Sequence, residues 1–395
     1  MITFFQTIIL SLQTALAGLV GYLLLLTGAA LRAPRTTNLP AQKAYRRFLI
    51  LIPAHNEEKL LPRLLTNLHE LDYPAHAYAI HVVADNCTDQ TAAIARQYGA
   101  IAHERFNQEL RGKGYALQWL GHNLWESGEP HEAIVILDAD SLVSTNFLQV
   151  MNARLGYGER VIQAYYAVQS PEQSSSAALR YAALTVLHYL RPQARMVLGG
   201  SAGLKGNGMV FAAEVLRHHE WTASLTEDIE FHMQLIQAGE RVTFAPDALV
   251  WAEMPDTLAN SHSQNVRWER GRLEMVRRYV PTLLRRAGRE RNFVLFDAAL
   301  EQVIPPFSIL AGLSLLGLGA AAILPPRGRK IGLTLGLFTL MGQVVYLLTG
   351  LWLARAPRSV YRALLGAPRF LVWKIWLYLG VLRGKETEWI RTKRN

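Results

Sequence analysis

The residues in this chain best placed to do chemistry are four aspartates and a lysine, and three of the aspartates end or closely follow apolar runs. Ile134-Val135-Ile136-Leu137 stops at Asp138-Ala139-Asp140, and His81-Val82-Val83-Ala84 stops at Asp85. An apolar, β-branched run that ends in acid reads as a buried parallel strand delivering a carboxylate to its carboxyl end, where open α/β sheets bind ligands. Carboxylates at i and i+2 suit a hard divalent cation and the phosphates it carries. The same spacing suits an Asx-turn before a helix, and Asp138 and Asp140 alone do not choose between the two. The fourth acid lies in Thr226-Glu227-Asp228, ahead of Phe231, Leu235 and Ile236. Asp228 is there either to take a proton or to serve the acidic first turn of a helix capped by Thr226. Lys113, in Arg111-Gly112-Lys113-Gly114, belongs to a basic turn that can reach a phosphate or stand as an ordinary solvated loop.

The elements that must position these groups alternate between short apolar runs and amphipathic segments, the pattern of β-α-β units in a mostly parallel sheet. Phe48 to Ile52 is the first strand; Pro53-Ala54-His55-Asn56-Glu57-Glu58 leads into a helix carrying Leu60, Leu61, Leu64, Leu65 and Leu68, with Asn56 as its N-cap. A helix over Thr88 to Tyr98, a strand over Ala100 to His103 and a helix over Tyr115 to Trp125 follow. No Gly-x-Gly-x-x-Gly follows the first strand and no Walker A pattern is complete, so dinucleotide and P-loop folds are not supported. The glycine-rich run Ser201 to Met209 can floor a pocket or simply turn. Ser174 to Arg195 reads as an amphipathic helix, and Gln264, Arg267 and Trp268 share one helical face.

Composition points to a membrane. Of 395 residues, 50% are hydrophobic, and Met1 to Leu31 contains no charged side chain. That run is long enough to span a bilayer and lacks the basic start of a signal peptide. Arg32, Arg35, Lys43, Arg46 and Arg47 come after it, so the positive-inside rule places the amino terminus outside and the following domain in the cytosol of a bacterial-type plasma membrane. Val303–Leu324 and Ile331–Ala354 read as two further spans, separated by Pro325-Pro326-Arg327-Gly328-Arg329-Lys330. Two full crossings would leave that basic loop outside, against the charge bias; a re-entrant pair would keep it inside. Phe370 to Leu382, with Trp373, Lys374, Trp376 and Tyr378, reads as an interfacial helix. The net charge of +10 and the arginines between Arg267 and Arg291 are assigned to anionic lipid headgroups, not to nucleic acid. The single cysteine, Cys87, excludes an internal disulfide and fits a reducing compartment.

Taken together, Pro53-Ala54-His55-Asn56-Glu57-Glu58, Ala84-Asp85-Asn86-Cys87-Thr88-Asp89, Arg111-Gly112-Lys113-Gly114, Asp138-Ala139-Asp140, Thr226-Glu227-Asp228 and Gln264-Asn265-Val266-Arg267-Trp268 resemble the membrane-integrated family 2 glycosyltransferases, the group that includes cellulose, chitin and hyaluronan synthases. The resemblance implies a GT-A-like, Rossmann-type α/β domain that binds a nucleotide sugar. Its implied divisions are a transmembrane helix over 1–31, a cytosolic glycosyltransferase domain over 32–256, amphipathic interfacial helices over 257–300, two transmembrane helices over 301–356, and an interfacial helix with a basic tail over 357–395. It implies that Pro53, Ala54, Glu57, Asp85, Lys113 and Asp138 hold the nucleotide and that Asp140 coordinates Mg²⁺ or Mn²⁺ at the diphosphate. Asp228 is implied as the base of an inverting transfer that forms a β-linkage, with Glu227 beside it raising its basicity. Gln264, Arg267 and Trp268 would serve the acceptor or the diphosphate. The donor expected from the resemblance is a UDP-sugar, and the acceptor is a saccharide or a lipid. About three spans leave little material for a translocation channel, so export of a polymer would need a homo-oligomer or a secretion partner. Two other readings stand beside this one. A metal-dependent nucleotidyltransferase would need neither a base at Asp228 nor a tryptophan at 268, and an inactive membrane scaffold would not need the acids at all.

Overall fold

The computed structural model describes residues 2–34, 36, 44–221, 224, 226–252 and 262–382, without the side chains of 2, 3, 262–264, 375 and 378–382. Arg35, Lys43, the side chains of Gln264 and Tyr378, and the basic tail beyond residue 382 therefore lie outside the described residues.

Eight strands form one sheet: β1 (Phe48–Ala54), β2 (Tyr78–Asp85), β3 (Ile101–Arg105), β4 (Ala133–Ile136), β5 (Ser141–Val143), β6 (Val161–Val168), β7 (Met209–Ala212) and β8 (Val242–Ala252), in the order β3-β2-β1-β4-β7-β6-β8-β5. Strands β3, β2, β1 and β4 run parallel. Beyond them the expected parallel sheet becomes mixed: β7 runs antiparallel to both β4 and β6, and β5 antiparallel to β8, while β6 and β8 pair parallel. Between β6 and β7 the chain passes through the helical segments of residues 175–197 and then the irregular run 201–208.

Alternation along the strands divides the core into two layers. On one face Leu49, Leu51, Ile134 and Ile136 pack with Leu117, Leu120 and Leu124 of the helix Lys113–Ser127; on the other, Phe48, Ile50, Ile52 and Val135 pack with Leu61, Leu64, Leu65 and Leu68 of the helix Leu61–His69. The amino-terminal helix Ile2–Ala30 joins the first of these layers through Leu16, Val20, Leu23 and Leu26. Membrane-type helix and sheet therefore share one hydrophobic cluster.

Four further helices matter to the site, and we number them in chain order. α1 (Ser175–Thr185) continues through a π-turn at Val186–Leu190 into α2 (Arg191–Val197), α3 (Glu227–Gln237) follows β7, and α4 (His262–Glu290) lies over α3. Glu230 of α3 accepts a hydrogen bond from Tyr279 of α4 at 2.9 Å and pairs with Arg278.

Among the described residues two helices are by themselves long and apolar enough to cross a membrane, Phe4–Ala30 and α7 (Pro326–Leu353). Within the expected span Val303–Leu324 the helix is α6 (Phe307–Ala322); the preceding helix α5 (Phe293–Val303) meets it at a 70° bend, and the two together pass as a broken span or a re-entrant pair. Pro305 and Pro306 supply no N–H to continue the first helix, and each disfavours helical backbone in the residue before it. The carboxyl end forms α8 (Arg358–Ala363) and α9 (Ala367–Leu382). Lys374, expected at a headgroup surface, is buried against α4, 3.1 Å from Glu269 and hydrogen-bonded to Asn265, since its neighbour on that face is a carboxylate and not solvent.

Candidate active site

The order β2-β1-β4 makes the carboxyl ends of β1 and β4 the switch point of the sheet, from which successive connections leave in opposite directions and where such sheets bind ligands. Pro53 and Ala54 end β1 there, with Glu57 in the loop beyond. That loop is tied to the loop after β2: His55 Nδ1 lies 2.7 Å from the Asp85 carbonyl, Asn56 Oδ1 accepts the Thr88 N–H at 2.8 Å, and Glu57 N–H donates to Thr91 Oγ1 at 2.8 Å. Asn56 is consequently not the N-cap expected of it. It sits at φ 56°, in the left-handed region that asparagine tolerates better than most residues, and the helix begins five residues later at Leu61. Asp85 is buried at the end of β2, where Arg105 Nη1 reaches its Oδ1 at 2.5 Å and Asn86 Nδ2 donates at 3.1 Å.

Beyond β4, Asp138-Ala139-Asp140 forms a turn into β5, closed by the Ser141 N–H donating to the Asp138 carbonyl at 3.1 Å. Lys113 Nζ reaches Asp138 Oδ1 at 2.5 Å and also donates to the Gly206 carbonyl. Burial alone would lower the Lys113 pKa, but the Asp138 charge, followed by that of Glu227, turns the balance and raises it. Asn207, fully buried, braces the turn from behind: its Oδ1 accepts the Asp138 N–H at 3.2 Å and its Nδ2 donates to Ser141 Oγ at 2.7 Å. The turn is closed by main-chain atoms, so the Asp138 side chain is not spent on an Asx-turn and meets Lys113 instead. Among the described residues no group of three or more His, Cys, Asp or Glu side chains could hold a metal by itself. Two carboxylates on one turn nevertheless fit Mg²⁺ or Mn²⁺ bound as these ions usually are beside phosphates, with the remaining ligands drawn from the diphosphate and water.

The third cluster lies where α3 begins. Thr226 occupies the N-cap position, its carbonyl accepting the Glu230 N–H at 3.0 Å, but its side chain makes no capping hydrogen bond. The hydroxyl is buried against Gly271 of α4, where a Cβ would fall 2.7 Å from Thr226 Oγ1, so the expected cap is displaced by helix packing. Glu227 and Asp228 follow, both half-buried. Burial raises the pKa of each; the Asp228 charge pushes Glu227 further, to about 7, against the opposing charges of Lys113 and Arg267, while Lys113 and Lys205 restrain Asp228. Gly206 passes close by: at φ 78° it brings its Cα to where a Cβ would sit 3.3 Å from Asp228 Oδ2. The glycine-rich run is thus a wall of the site, not a plain turn.

Trp268 of α4 lines the same cavity as Asp228, about 370 Å³ in volume, together with Lys205 and Tyr166. Arg267 keeps its Nε buried without a hydrogen-bond partner while its charge acts on Glu227. Gln264 stands in the first turn of the same helix.

The sequence model described as glycosyltransferase like family 2 matches residues 46–271, from the start of β1 to the middle of α4. The chain belongs to this glycosyltransferase family. A β-monoglucosyldiacylglycerol synthase of Nostoc sp. is 26% identical over 298 residues, 72% of this chain and 62% of that protein. A poly-β-1,6-N-acetyl-D-glucosamine synthase of Staphylococcus aureus is 24% identical over 265 residues, 64% of this chain and 60% of that protein. The chain therefore spans somewhat under two thirds of the length of these relatives. Its fold is similar to that of a mannosyltransferase from Pyrobaculum calidifontis solved with GDP-Man and Mn²⁺, with a TM-score of 0.54 at 19% identity, covering 87% of this chain and 99% of the other. The domain is GT-A-like, with a mixed sheet.

Around this family 2 glycosyltransferase site the structure adds two residues that the sequence did not announce. Arg105 was missed because β3 was expected to end at His103; the register that pairs Asp85 with Arg105 exists only across strands. Asn207 was hidden inside a run notable for its glycines, and its only sequence signal was a lone amide among them.

Proposed function

We propose that this family 2 glycosyltransferase transfers a sugar from a nucleoside diphosphate donor, UDP by its motifs, to a hydroxyl of a lipid or saccharide at the cytosolic membrane face, with inversion to a β-linkage. The observation that carries the reading is the adjacency of two compartments. One holds Lys113, Asp138 and Asp140 at the sheet switch point, and the other holds Asp228 and Trp268; the run 203–206 forms a wall of both.

Pro53, Ala54, Glu57 and Asp85 sit where a nucleoside would be held, and the Arg105 ion pair fixes the Asp85 carboxylate in one orientation. Lys113 and Arg267 bring positive charge toward the diphosphate. A divalent cation at Asp140 and Asp138, when bound, offsets negative charge on the leaving group. Asp228 takes the proton from the acceptor hydroxyl as its oxygen attacks the anomeric carbon; the bond from that carbon to the donor phosphate oxygen breaks, and the nucleoside diphosphate departs with the electron pair. Trp268 offers a flat apolar face to a sugar ring or acyl glycerol, and Gln264 is positioned one turn before it. Relatives named for glycolipid and polysaccharide synthesis fit either acceptor.

The test is donor turnover by the purified full chain in detergent, with a panel of nucleotide sugars and product mass spectrometry. Transfer should require Mg²⁺ or Mn²⁺, and Asp228→Asn should reduce it by roughly 10²–10⁴-fold while UDP affinity is retained. Unchanged transfer by Asp228→Asn would remove the assignment of the base.

A further inference from the structure

The cavity that holds Asp228 does not stop at the catalytic centre. Beyond Trp268 it continues between α1, α6, α7 and α9, where its lining becomes apolar through residues such as Leu187, Phe307, Ala311, Leu347 and Phe370. Phe307 and Leu347 belong to the helices of the membrane-type bundle itself. One end of a single cavity is therefore set for proton transfer and the other is hydrocarbon.

Between the two ends the lining is cationic. Three of its positive groups are paired with carboxylates: Arg191 with Glu301 at 3.2 Å, Arg195 with Asp297, where Nε donates at 2.7 Å, and Lys374 with Glu269 at 3.1 Å. Arg272 donates to the Gln302 carbonyl at 3.4 Å, and Lys205 shares the cavity with Asp228, whose charge acts on it. Arg180 on α1 has no such partner. It is 6% exposed, its Nε and Nη2 are buried without hydrogen-bond partners, and among the described residues no carboxylate pairs with it. A buried guanidinium without a counter-charge is strongly disfavoured unless something anionic reaches it, and its planar fork matches phosphate or carboxylate oxygens.

Resting on the glycosyltransferase reading above, we propose that the acceptor is an anionic lipid with a free hydroxyl. Its phosphate or carboxylate is held by Arg180, its chain lies among Leu187, Phe307 and Leu347, and its hydroxyl is offered to Asp228. Lys113, Asp138 and Asp85, assigned above to the nucleotide, do not line this cavity, so the anion beside Arg180 is assigned to the acceptor. A bare phosphate is not the nucleophile either, since an ionised phosphate oxygen needs no base and Asp228 would have nothing to deprotonate. In the transfer the lipid O–H proton passes to Asp228, the lipid oxygen bonds to the anomeric carbon, and the nucleoside diphosphate leaves with the bonding pair.

The experiment uses the full chain in nanodiscs. Phosphatidylglycerol supplies anion, hydroxyl and chain; diacylglycerol in phosphatidylcholine supplies hydroxyl and chain; glycerol 3-phosphate in solution supplies anion and hydroxyl alone. Native mass spectrometry of protein released from the discs should show retained phosphatidylglycerol and no retained diacylglycerol, with glycerol 3-phosphate failing to compete at millimolar concentration. Arg180→Gln should reduce that retention about tenfold or more, and Arg180→Lys should restore part of it. Equal retention of neutral and anionic lipid by the wild-type protein would overturn the proposal without recourse to any variant. So would undiminished retention by Arg180→Gln. Displacement by glycerol 3-phosphate would overturn the lipid as the source of the anion. Arg180-dependent retention without sugar transfer to any acceptor would support the anionic-lipid site while removing the transfer reading; transfer to diacylglycerol without anionic-lipid retention would do the reverse.

Discussion

Gly271→Ala tests the contact that joins α4 to the start of α3. Gly271 lies in α4 one turn after Arg267 and Trp268, and it packs on Thr226, the residue that starts the Glu227-Asp228 helix. A Cβ there would sit 2.7 Å from Thr226 Oγ1, 3.0 Å from Thr226 Cβ, and closer still to Cγ2. Carbon atoms rest at about 3.5–4.0 Å, so the two helices must part by about 1 Å. Two energies oppose each other. Alanine gains about 1 kcal/mol of helix propensity over glycine, whereas overpacking costs about 1–3 kcal/mol, leaving a net destabilisation of roughly 0–2 kcal/mol. The fold should survive with a melting temperature a few degrees lower at most. Transfer should suffer far more, because a displacement of about 1 Å at reacting groups costs on the order of 10²-fold. Gly288→Ala is the matched control: it lies in the same helix, nothing lies within 4 Å of its added Cβ, and it should stabilise by propensity alone. The assay is steady-state transfer with UDP titration alongside. The expected pattern is a loss of kcat with unchanged UDP affinity in Gly271→Ala, partly reversed by adding Thr226→Ala, and none of this in Gly288→Ala. Full kcat in Gly271→Ala would refute the claim that this packing sets the distance between Trp268 and Asp228.

The raised pKa values of the Glu227 and Asp228 pair predict an acidic limb in kcat near neutral pH: a base must be unprotonated, so the rate falls as pH drops through the range where Glu227, pushed to about 7, and Asp228 take up protons. Glu227→Gln removes the neighbouring carboxylate and should move that limb to lower pH; an unmoved limb would show that the two do not titrate together. Lys113→Met removes the cation bridging Asp138 and the Gly206 carbonyl, and a charge-assisted hydrogen bond of about 1.5–3 kcal/mol corresponds to roughly 10–100-fold weaker UDP binding by calorimetry. Arg105→Met should weaken UDP binding without changing the rate at saturating donor, since it orients Asp85 and lies outside the Asp228 cavity; a fall in kcat alone would count against the nucleoside-side role of Asp85.

The strands that deliver the acids were readable because burial on both faces forces continuous apolar sequence, and the chemistry begins where the apolar run ends, as at Leu137-Asp138. The membrane-type helix at the amino terminus was readable because a bilayer span needs about 20 apolar residues in a row, whether they face protein or lipid. Local rules failed where a tertiary partner outbid them. Asn56 had the right type for an N-cap but was drawn to the loop after β2, and Thr226 had the right position but was pressed against Gly271. Within Val303–Leu324 the helix begins only at Phe307, which hydropathy does not reveal, because it weighs side chains and is blind to the backbone hydrogen bonds that Pro305 and Pro306 cannot make. Arg105 and Asn207 act through contacts between distant parts of the chain, and no local pattern in the sequence encodes those.

The run from Gly203 to Asn207 faces both compartments: its Gly206 carbonyl and Asn207 amide serve Lys113 and the Asp138 turn, while Gly203 and Lys205 line the cavity of Asp228. If donor and acceptor occupy these two compartments, any shift of the shared wall on binding one of them links the two occupancies. Whatever factor by which bound donor changes affinity for acceptor, bound acceptor must return to donor, so an ordered sequence of arrivals would be a kinetic fact and not an equilibrium one. A stiffer wall strengthens that linkage and a looser one erases it, which gives five loop residues a hand in cooperativity that neither pocket has alone.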